Sequence, residues 1–214
     1  MKPRWLGRLS YEEGLAAQLA ARERVLAGGE DELLVLEHHA VVTLGRRGGQ
    51  VDAEALEAMS TPLVSTDRGG FATWHGPGQM VAYPIVNLRR LKLGVPEFVA
   101  RLGVWLVETC ARLGVSECVY DACRPGVYVQ DKKLGSIGLH IHKGVTTHGL
   151  SLNVSNHLDG FAAIVVCGHQ GLAVTTLSEH RGQALELHQV RDIFLEVVRS
   201  SGDALAPSPC TLEP

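Results

Sequence analysis

The sequence lacks the features that mark membrane, exported and nucleic-acid-binding proteins. No segment approaches the 18 or so consecutive apolar residues of a membrane-spanning helix. Residues 1–6 run into polar sequence without the apolar core of a signal peptide. The charges nearly balance, with 20 Lys and Arg against 23 Asp and Glu, unlike the basic composition of most nucleic-acid-binding domains. We therefore expect no membrane and no nucleic-acid partner, and a cytoplasmic protein.

Cysteine is also scarce, with five in 214 residues, an odd number without regular spacing. This is not the pattern of a disulfide framework, and it favours a reducing compartment. With 45% hydrophobic and 20% charged residues, the chain has enough apolar side chains for a packed core. Neither a repeat nor a linker interrupts it. We therefore expect a single domain over residues 1–214, with a loosely held tail from about residue 201.

Strand signals outnumber helix signals along the chain. Ser10 and Glu13 form a capping-box pattern that begins a helix, and Pro96 and Gly114 bound a longer one. Pro84 inside a strand segment indicates an edge position or a bulge. The mixed order predicts an α+β fold with a mixed, largely antiparallel sheet flanked by helices. The predicted strands are residues 32–38, 41–45, 61–66, 80–88, 117–120, 126–130, 134–141 and 145–154, and the later helices are residues 52–59, 96–113 and 187–198.

Glycines concentrate between two predicted strands, in residues 68–79 (RGGFATWHGPGQ). Glycine weakens a sheet but permits positive φ and a close approach of the backbone to a ligand, so a binding loop explains the cluster. Arg68, Trp74, His75 and Gln79 add a cation, an aromatic ring, an imidazole and an amide. A glycine-rich hairpin with exposed polar side chains is the alternative. The segment is not a phosphate loop, because it has neither GxxxxGK[ST] nor GxGxxG before a helix.

The cysteines differ in their sequence context. Cys167 ends an apolar run and precedes Gly168, where free amide N–H groups near the sulfur would favour a thiolate and bind an oxyanion. A buried structural cysteine is the alternative. Cys110 lies on the apolar face of the long helix and is expected in the core. Cys118 and Cys123 do not have the spacing of a zinc-binding pair.

A nucleophilic thiol needs a partner, because a free cysteine is only a few per cent ionised at pH 7. Lys132 and Lys133 are candidates, and since neighbouring strand residues point to opposite faces, only one of them faces a site. A solvated lysine at a turn is the alternative for either. His140 and His142 share one strand face, which raises a metal-dependent hydrolase as a weaker alternative. No third ligand follows at a recognisable spacing, so we expect no metal.

Five segments, taken together and in order, resemble the lipoyl(octanoyl) transferases. One position departs from the family pattern, because Val166 stands where the family usually has proline before the cysteine. The segments span nearly half of the chain. They are residues 68–79 (RGGFATWHGPGQ), 124–129 (RPGVYV), 133–138 (KLGSIG), 148–154 (HGLSLNV) and 161–168 (FAAIVVCG).

This resemblance implies an acyltransferase on the biotin/lipoate protein ligase fold (class II aminoacyl-tRNA synthetase–biotin synthetase type). It would move an octanoyl group from octanoyl-acyl carrier protein to a lysine of lipoyl domains, in 2-oxoacid dehydrogenase and glycine cleavage proteins. That transfer is the first step of endogenous protein lipoylation. The family's nucleophile carries over to Cys167 and its catalytic lysine to Lys133. Its acyl pocket carries over to Arg68, Gly69, Gly70, Phe71, Ala72, Thr73, Trp74, His75, Ser136, Ile137, Gly138, Gly149, Leu150 and Ser151.

Two further functions stay open on the sequence: an ATP-dependent lipoate or biotin protein ligase on the same fold, and a non-catalytic binding protein for acyl carriers or lipoyl domains. A thioester donor is already activated, so the transferase hypothesis requires no ATP, and we expect no cofactor. Two basic clusters, residues 46–47 and residues 89–92, are candidate docking surfaces for an acidic carrier.

Overall fold

A computed structural model describes residues 1–201; the predicted loose tail beyond them, with Cys210, lies outside the described residues. Within this range no helix is long and apolar enough to cross a membrane. The strands are β1 (Lys2–Leu9), β2 (Glu32–His38), β3 (Val41–Leu44), β4 (Leu63–Ser65), β5 (Thr73–His75), β6 (Gln79–Ile85), β7 (Val119–Asp121), β8 (Gly126–Val129), β9 (Lys132–His142) and β10 (Val145–Asn153). The helices are α1 (Tyr11–Leu26), α2 (Ala53–Ala58), α3 (Leu88–Leu91), α4 (Val95–Arg112), α5 (Asp159–Ala162), α6 (Leu177–Arg181) and α7 (Leu187–Ser200), with a 3₁₀ turn at Val166–Gly168.

The strands form two sheets. The larger has the order β1-β2-β6-β10-β9-β8-β7, in which β1 and β2 are parallel and the other neighbours are antiparallel. The smaller has the order β4-β3-β5, with β3 and β4 parallel. The predicted mixed, largely antiparallel sheet is therefore present, and helices flank it.

Helices cover both faces of the large sheet because its central strands are apolar on both sides. In β2, Leu33 and Val35 pack into one cluster with Phe98 of α4 and Phe194 of α7. The alternating residues of β2, such as Leu34, pack on the opposite face against α1. Strand residues alternate between faces, so this continuous apolar run marks a strand buried on both sides.

The ends of two helices follow from their capping residues. At the start of α1, the Glu13 N–H donates to Ser10 Oγ (3.1 Å) while the Glu13 carboxylate accepts from the Ser10 N–H (2.8 Å). The predicted capping box is present. Pro96 is the second residue of α4, one position later than predicted, and Gly114 follows the last turn at φ +80°.

Pro84 does not lie at a sheet edge, because β6 lies between β2 and β10. It pairs with Leu33 of β2, and on the other side the ladder to β10 stops at Ala82. His148 has a positive φ of 59° there and turns its N–H away, to Gln18 Oε1 at 2.6 Å. The prediction that Pro84 lies at a sheet edge is therefore wrong. The alternative, a local irregularity, is correct, because the pairing with β10 is interrupted where Pro84 has no N–H to donate.

Two strands were not predicted. Strand β1 is largely exposed and so has no alternating apolar pattern to reveal it. Strand β5 has only three residues inside the glycine-rich segment, yet it pairs with β3 and builds the wall of the cavity described next.

Candidate active site

A cavity of about 500 Å³ opens between the large sheet and the glycine-rich segment. Its walls come from residues 68–75, from the middle of β9 and from the neighbouring part of β10. Cys167 and Lys133 lie on its lining. The volume is within the range of pockets that bind small organic ligands, about 300–1,000 Å³.

The residues that the resemblance assigns to an acyl pocket line this cavity with one exception, Trp74. Its side chain is only 5% exposed and packs on Phe161, with ring centroids 5.5 Å apart. Because β5 alternates, Thr73 and His75 face the cavity while Trp74 faces the apolar cluster behind it. The assignment of Trp74 to the substrate pocket is therefore wrong, and the residue is part of the core.

Cys167 and Lys133 meet although they are 34 residues apart in the chain. The Nζ atom of Lys133 donates a hydrogen bond to Cys167 Sγ at 3.0 Å. Cys167 lies in a tight turn with φ 55°, followed by Gly168 at φ 72°. A non-glycine residue at positive φ is uncommon and concentrates where function requires a particular side-chain direction.

Backbone hydrogen bonds fix the spacing of this pair. The chain that leaves Cys167 returns to β9, where the Lys133 N–H donates to the Ala173 carbonyl (2.8 Å) and the Thr175 N–H donates to the Lys133 carbonyl (3.0 Å). The turn itself is anchored by Val166, buried in the apolar cluster that contains Trp74. Val166 in place of the family's proline is thus compatible with a formed turn.

Lys133 is the lysine that faces the site. Its side chain is buried, and burial lowers its pKa, while the neighbouring Cys167 acts in the opposite direction. Lys132 points away, and its Nζ lies 3.3 Å from Glu179 in an exposed ion pair. Strand alternation predicted one inward lysine, and the structure shows which one.

Glycine is required opposite Lys133. A Cβ atom on Gly126 of β8 would lie 2.7 Å from Lys133 Nζ and 2.5 Å from the Gly135 carbonyl oxygen. The lysine side chain therefore runs through the space that a larger residue at position 126 would fill.

Arg68 shapes the wall of the cavity. It is 8% exposed, and its guanidinium makes five hydrogen bonds of 2.7–3.2 Å to Thr43, Gly69 and Phe71. A guanidinium has five N–H groups, so these neutral oxygen atoms use all of them. Arg68 consequently holds the glycine-rich loop against β3, and it adds a positive charge near Cys167.

Two histidines of the lining are held in place by polar partners. His148 Nε2 lies 2.7 Å from Asp67, which also approaches His140 Nε2 at 3.4 Å. His75 Nδ1 lies 2.7 Å from Gln79 Oε1, and burial lowers the pKa of His75 to about 3, so its imidazole is neutral. Among the described residues, no group of three or more His, Cys, Asp or Glu side chains is arranged to hold a metal ion.

Other residues of the site were not assigned from the sequence. Tyr11 and Tyr83 line the cavity, and Tyr128 lies beside Lys133. Tyr128 belongs to the RPGVYV segment that carries part of the resemblance, so a signal existed for it. Tyr11 was visible only as the residue after a helix cap, and Tyr83 only as part of a strand.

Cys110 and Cys118 lie in the core away from the cavity, whereas Cys123 is on its lining. Cys110 is a fully buried free thiol, as expected of a core residue, and it is hydrogen-bonded to Cys118, which raises its pKa. Cys123 is disulfide-bonded, which the irregular cysteine spacing does not indicate.

Comparisons with known proteins identify the family of the chain. A family model, the lipoyl protein ligase A/B catalytic domain, matches residues 9–199. The chain is 40% identical over 196 residues to an octanoyltransferase of Maridesulfovibrio salexigens, covering 89% of this chain and 91% of the relative. It is 45% identical over 172 residues to an octanoyltransferase of Thiobacillus denitrificans, covering 80% and 78%.

Solved structures with low sequence identity share the fold. A lipoate-protein ligase A bound with ATP has a TM-score of 0.76 at 16% identity, covering 100% of this chain and 90% of that one. A biotin protein ligase from Aquifex aeolicus has a TM-score of 0.53 at 14% identity, covering 94% and 68%.

The sheet and its flanking helices have the fold of lipoate and biotin protein ligases. The chain belongs to the lipoyl protein ligase A/B catalytic domain family, and its curated relatives at 38–45% identity are octanoyltransferases. The predicted family, fold class and enzyme class, an octanoyltransferase, are confirmed.

Proposed function

We propose that this octanoyltransferase works through an acyl-thioester on Cys167, with Lys133 as its acid and base. The observation that supports the proposal most directly is the 3.0 Å hydrogen bond between Lys133 Nζ and Cys167 Sγ on the lining of a cavity. A thiolate beside a buried cation is the arrangement that activates a cysteine nucleophile.

The reaction consists of two displacements. The Cys167 thiolate attacks the thioester carbonyl of the donor, the donor's carbon–sulfur bond breaks, and the leaving thiolate takes a proton from the Lys133 ammonium. The acceptor amine then attacks the acyl-cysteine and gives its proton to the neutral Lys133 amine, while Cys167 leaves as thiolate. Burial supports both roles, because it lowers the pKa of Lys133 and so makes its neutral form easier to reach.

The cavity is suited to a saturated acyl chain. Ala72, Ile137, Leu139 and Leu150 contribute apolar surface to its lining. Gly138 and Gly149 allow the strands and loops of the wall to pack closely, because a Cβ atom there would meet the carbonyl oxygens of Gly69 and Ala82. We therefore assign the acyl chain to the space between residues 68–75 and strands β9 and β10. Ser136 and Ser151 lie on the same lining and belong to this proposed pocket.

The donor is octanoyl-acyl carrier protein, and the acceptors are lipoyl domains of 2-oxoacid dehydrogenase and glycine cleavage proteins. Of the two basic clusters, Arg46 and Arg47 line the cavity, whereas Arg90 is bound to Asp31 at 2.5 Å. The first cluster is thus the better docking surface for an acidic carrier. We place the reaction in the cytoplasm and in a single catalytic domain over residues 1–214.

Intact-mass measurement tests the nucleophile. Incubation with octanoyl-acyl carrier protein alone is expected to add one octanoyl group to the protein, located on Cys167 by peptide mapping. The Cys167→Ala variant is expected to form no adduct and to transfer no octanoate, with Cys118→Ala as a matched control that retains both. Transfer by Cys167→Ala at the wild-type rate would contradict the proposal.

A further inference from the structure

Tyr128 provides the second hydrogen-bond acceptor for the amine of Lys133. The two residues face each other across the pairing of β8 and β9, where the register shifts after Val127. Lys133 Nζ donates to the Tyr128 hydroxyl oxygen at 3.1 Å, and the Tyr128 O–H donates to the Arg124 carbonyl at 3.0 Å. With Lys133 as an ammonium these directions follow from the chemistry of the groups, because the ammonium only donates and the carbonyl only accepts. The Tyr128 hydroxyl also has a side-chain hydrogen bond with Cys167.

These bonds determine how the amine of Lys133 is oriented. As an ammonium, Lys133 has three N–H groups, of which one is directed to Tyr128 and one to Cys167 Sγ. As a neutral amine it keeps two N–H groups and one lone pair. Because the Tyr128 hydrogen is used by Arg124, Tyr128 does not donate to that lone pair, which stays available to accept a proton from an incoming amine.

We propose that Tyr128 is a positioning residue of the acyl transfer, whose hydroxyl oxygen holds Lys133 Nζ against Cys167 Sγ. The inference rests on the proposed function of Cys167 and Lys133 and adds a role that neither of them supplies. Lys133 is only 2% exposed, so an N–H that loses this acceptor has little access to water as a replacement.

The surroundings keep Tyr128 a neutral hydroxyl. Burial and the nearby Cys167 raise its pKa, which outweighs the opposite effect of Arg124. The Arg124 guanidinium lies over the Tyr128 ring, 4.8 Å from its centroid, and is itself bound to Asp121 at 2.7 Å. The charged groups that act on Lys133 are Cys167, Arg124 and Asp121. Substitution of Tyr128 by phenylalanine removes none of these groups, but it also removes a hydrogen bond between the Tyr128 hydroxyl and Cys167, so the test has to separate that direct contact from the effect through Lys133.

The test measures the pH dependence of Cys167 alkylation by iodoacetamide in the free enzyme, followed by peptide mass spectrometry. In Tyr128→Phe the ring remains and the acceptor is lost, so the ammonium form of Lys133 is destabilised and the thiolate forms at higher pH. We expect the midpoint of alkylation to rise by about one pH unit. At a pH well below the midpoint, this shift corresponds to a roughly tenfold lower fraction of thiolate. The matched control is Tyr120→Phe, on the neighbouring strand β7, which is expected to leave the midpoint unchanged.

A double-mutant cycle separates positioning from a general structural effect. In a Lys133→Met background, Tyr128→Phe is expected to cause no further shift, because Tyr128 acts through Lys133. A Tyr128→Phe midpoint that coincides with the wild type, or a shift that persists without Lys133, overturns the inference. Since alkylation uses no acyl donor, a missing octanoyl adduct would refute the proposed function without altering this result.

Discussion

Replacement of Lys133 by methionine tests the proposed chemistry most severely. The substitution keeps the length and apolar stem of the side chain and removes a charge 3.0 Å from Cys167 Sγ. At that distance and an effective dielectric constant of about 20, the gross attraction between the two charges is roughly 5 kcal/mol. The burial that lowers the pKa of Lys133 offsets part of this attraction.

The loss in rate follows from two effects. An unassisted thiol with a pKa of about 8.5 is only about 3% ionised at pH 7, which costs roughly 30-fold in nucleophile concentration. The lost general acid and base costs a further 100- to 10,000-fold or so. We therefore expect kcat/KM for octanoyl transfer to fall by about 1,000- to 100,000-fold at pH 7. The residual rate of Lys133→Met should rise as the pH increases through about 8.5, because the thiol then ionises without help.

The assay is single-turnover formation of acyl-cysteine from octanoyl-acyl carrier protein, followed by intact mass from pH 6 to pH 9. Lys132→Met is the matched control, because Lys132 forms an exposed ion pair with Glu179, and such pairs contribute about 0–1 kcal/mol. A Lys133→Met rate within tenfold of the wild type refutes the assignment. So does a 1,000-fold loss in Lys132→Met.

Three further outcomes are expected. Gly126→Ala places a Cβ 2.7 Å from Lys133 Nζ, and because this overpacks the site, octanoyl transfer should fall at least tenfold while the circular dichroism spectrum stays near-native. A wild-type transfer rate would contradict this expectation. Arg68→Gln removes buried hydrogen bonds and should lower the free energy of unfolding, measured by urea titration, by about 2–4 kcal/mol. A loss below about 0.5 kcal/mol would contradict the proposal that Arg68 holds the cavity wall together. Transfer from octanoyl-acyl carrier protein should be equally fast with and without ATP; product formed from free octanoate only when ATP is added would favour a ligase.

The sheet was predictable to the extent that its strands are buried. Strands β2, β6 and β10 are buried along almost their whole length, and the predicted ends lie within a few residues of the observed ones. Strand β1 is exposed and has no such pattern, so its parallel pairing with β2 was not visible. Hydrophobic periodicity reports burial, and a strand that buries little produces no signal.

The pocket residues show the same limit on a smaller scale. The family resemblance assigns Thr73, Trp74 and His75 together because they are consecutive in one motif. Alternation along β5 separates them, with Trp74 on the core side. A three-residue strand between glycines is too short for its period to be recognised, so the separation needed the pairing of β5 with β3.

The cysteine and lysine come together through contacts that no local pattern encodes. Lys133 lies on a strand of the large sheet, and Cys167 lies in a turn packed on the apolar cluster of the small sheet. Their distance depends on one isolated bridge, in which Val174 pairs with Lys133 only seven residues after the nucleophile. A single bridge leaves no periodic pattern in the sequence that would reveal it. The cysteine and the lysine that it brings together, by contrast, can be recognised from their side-chain chemistry. Sequence motifs therefore indicate the candidate reacting atoms, and the return of the chain to β9 determines that they are close together.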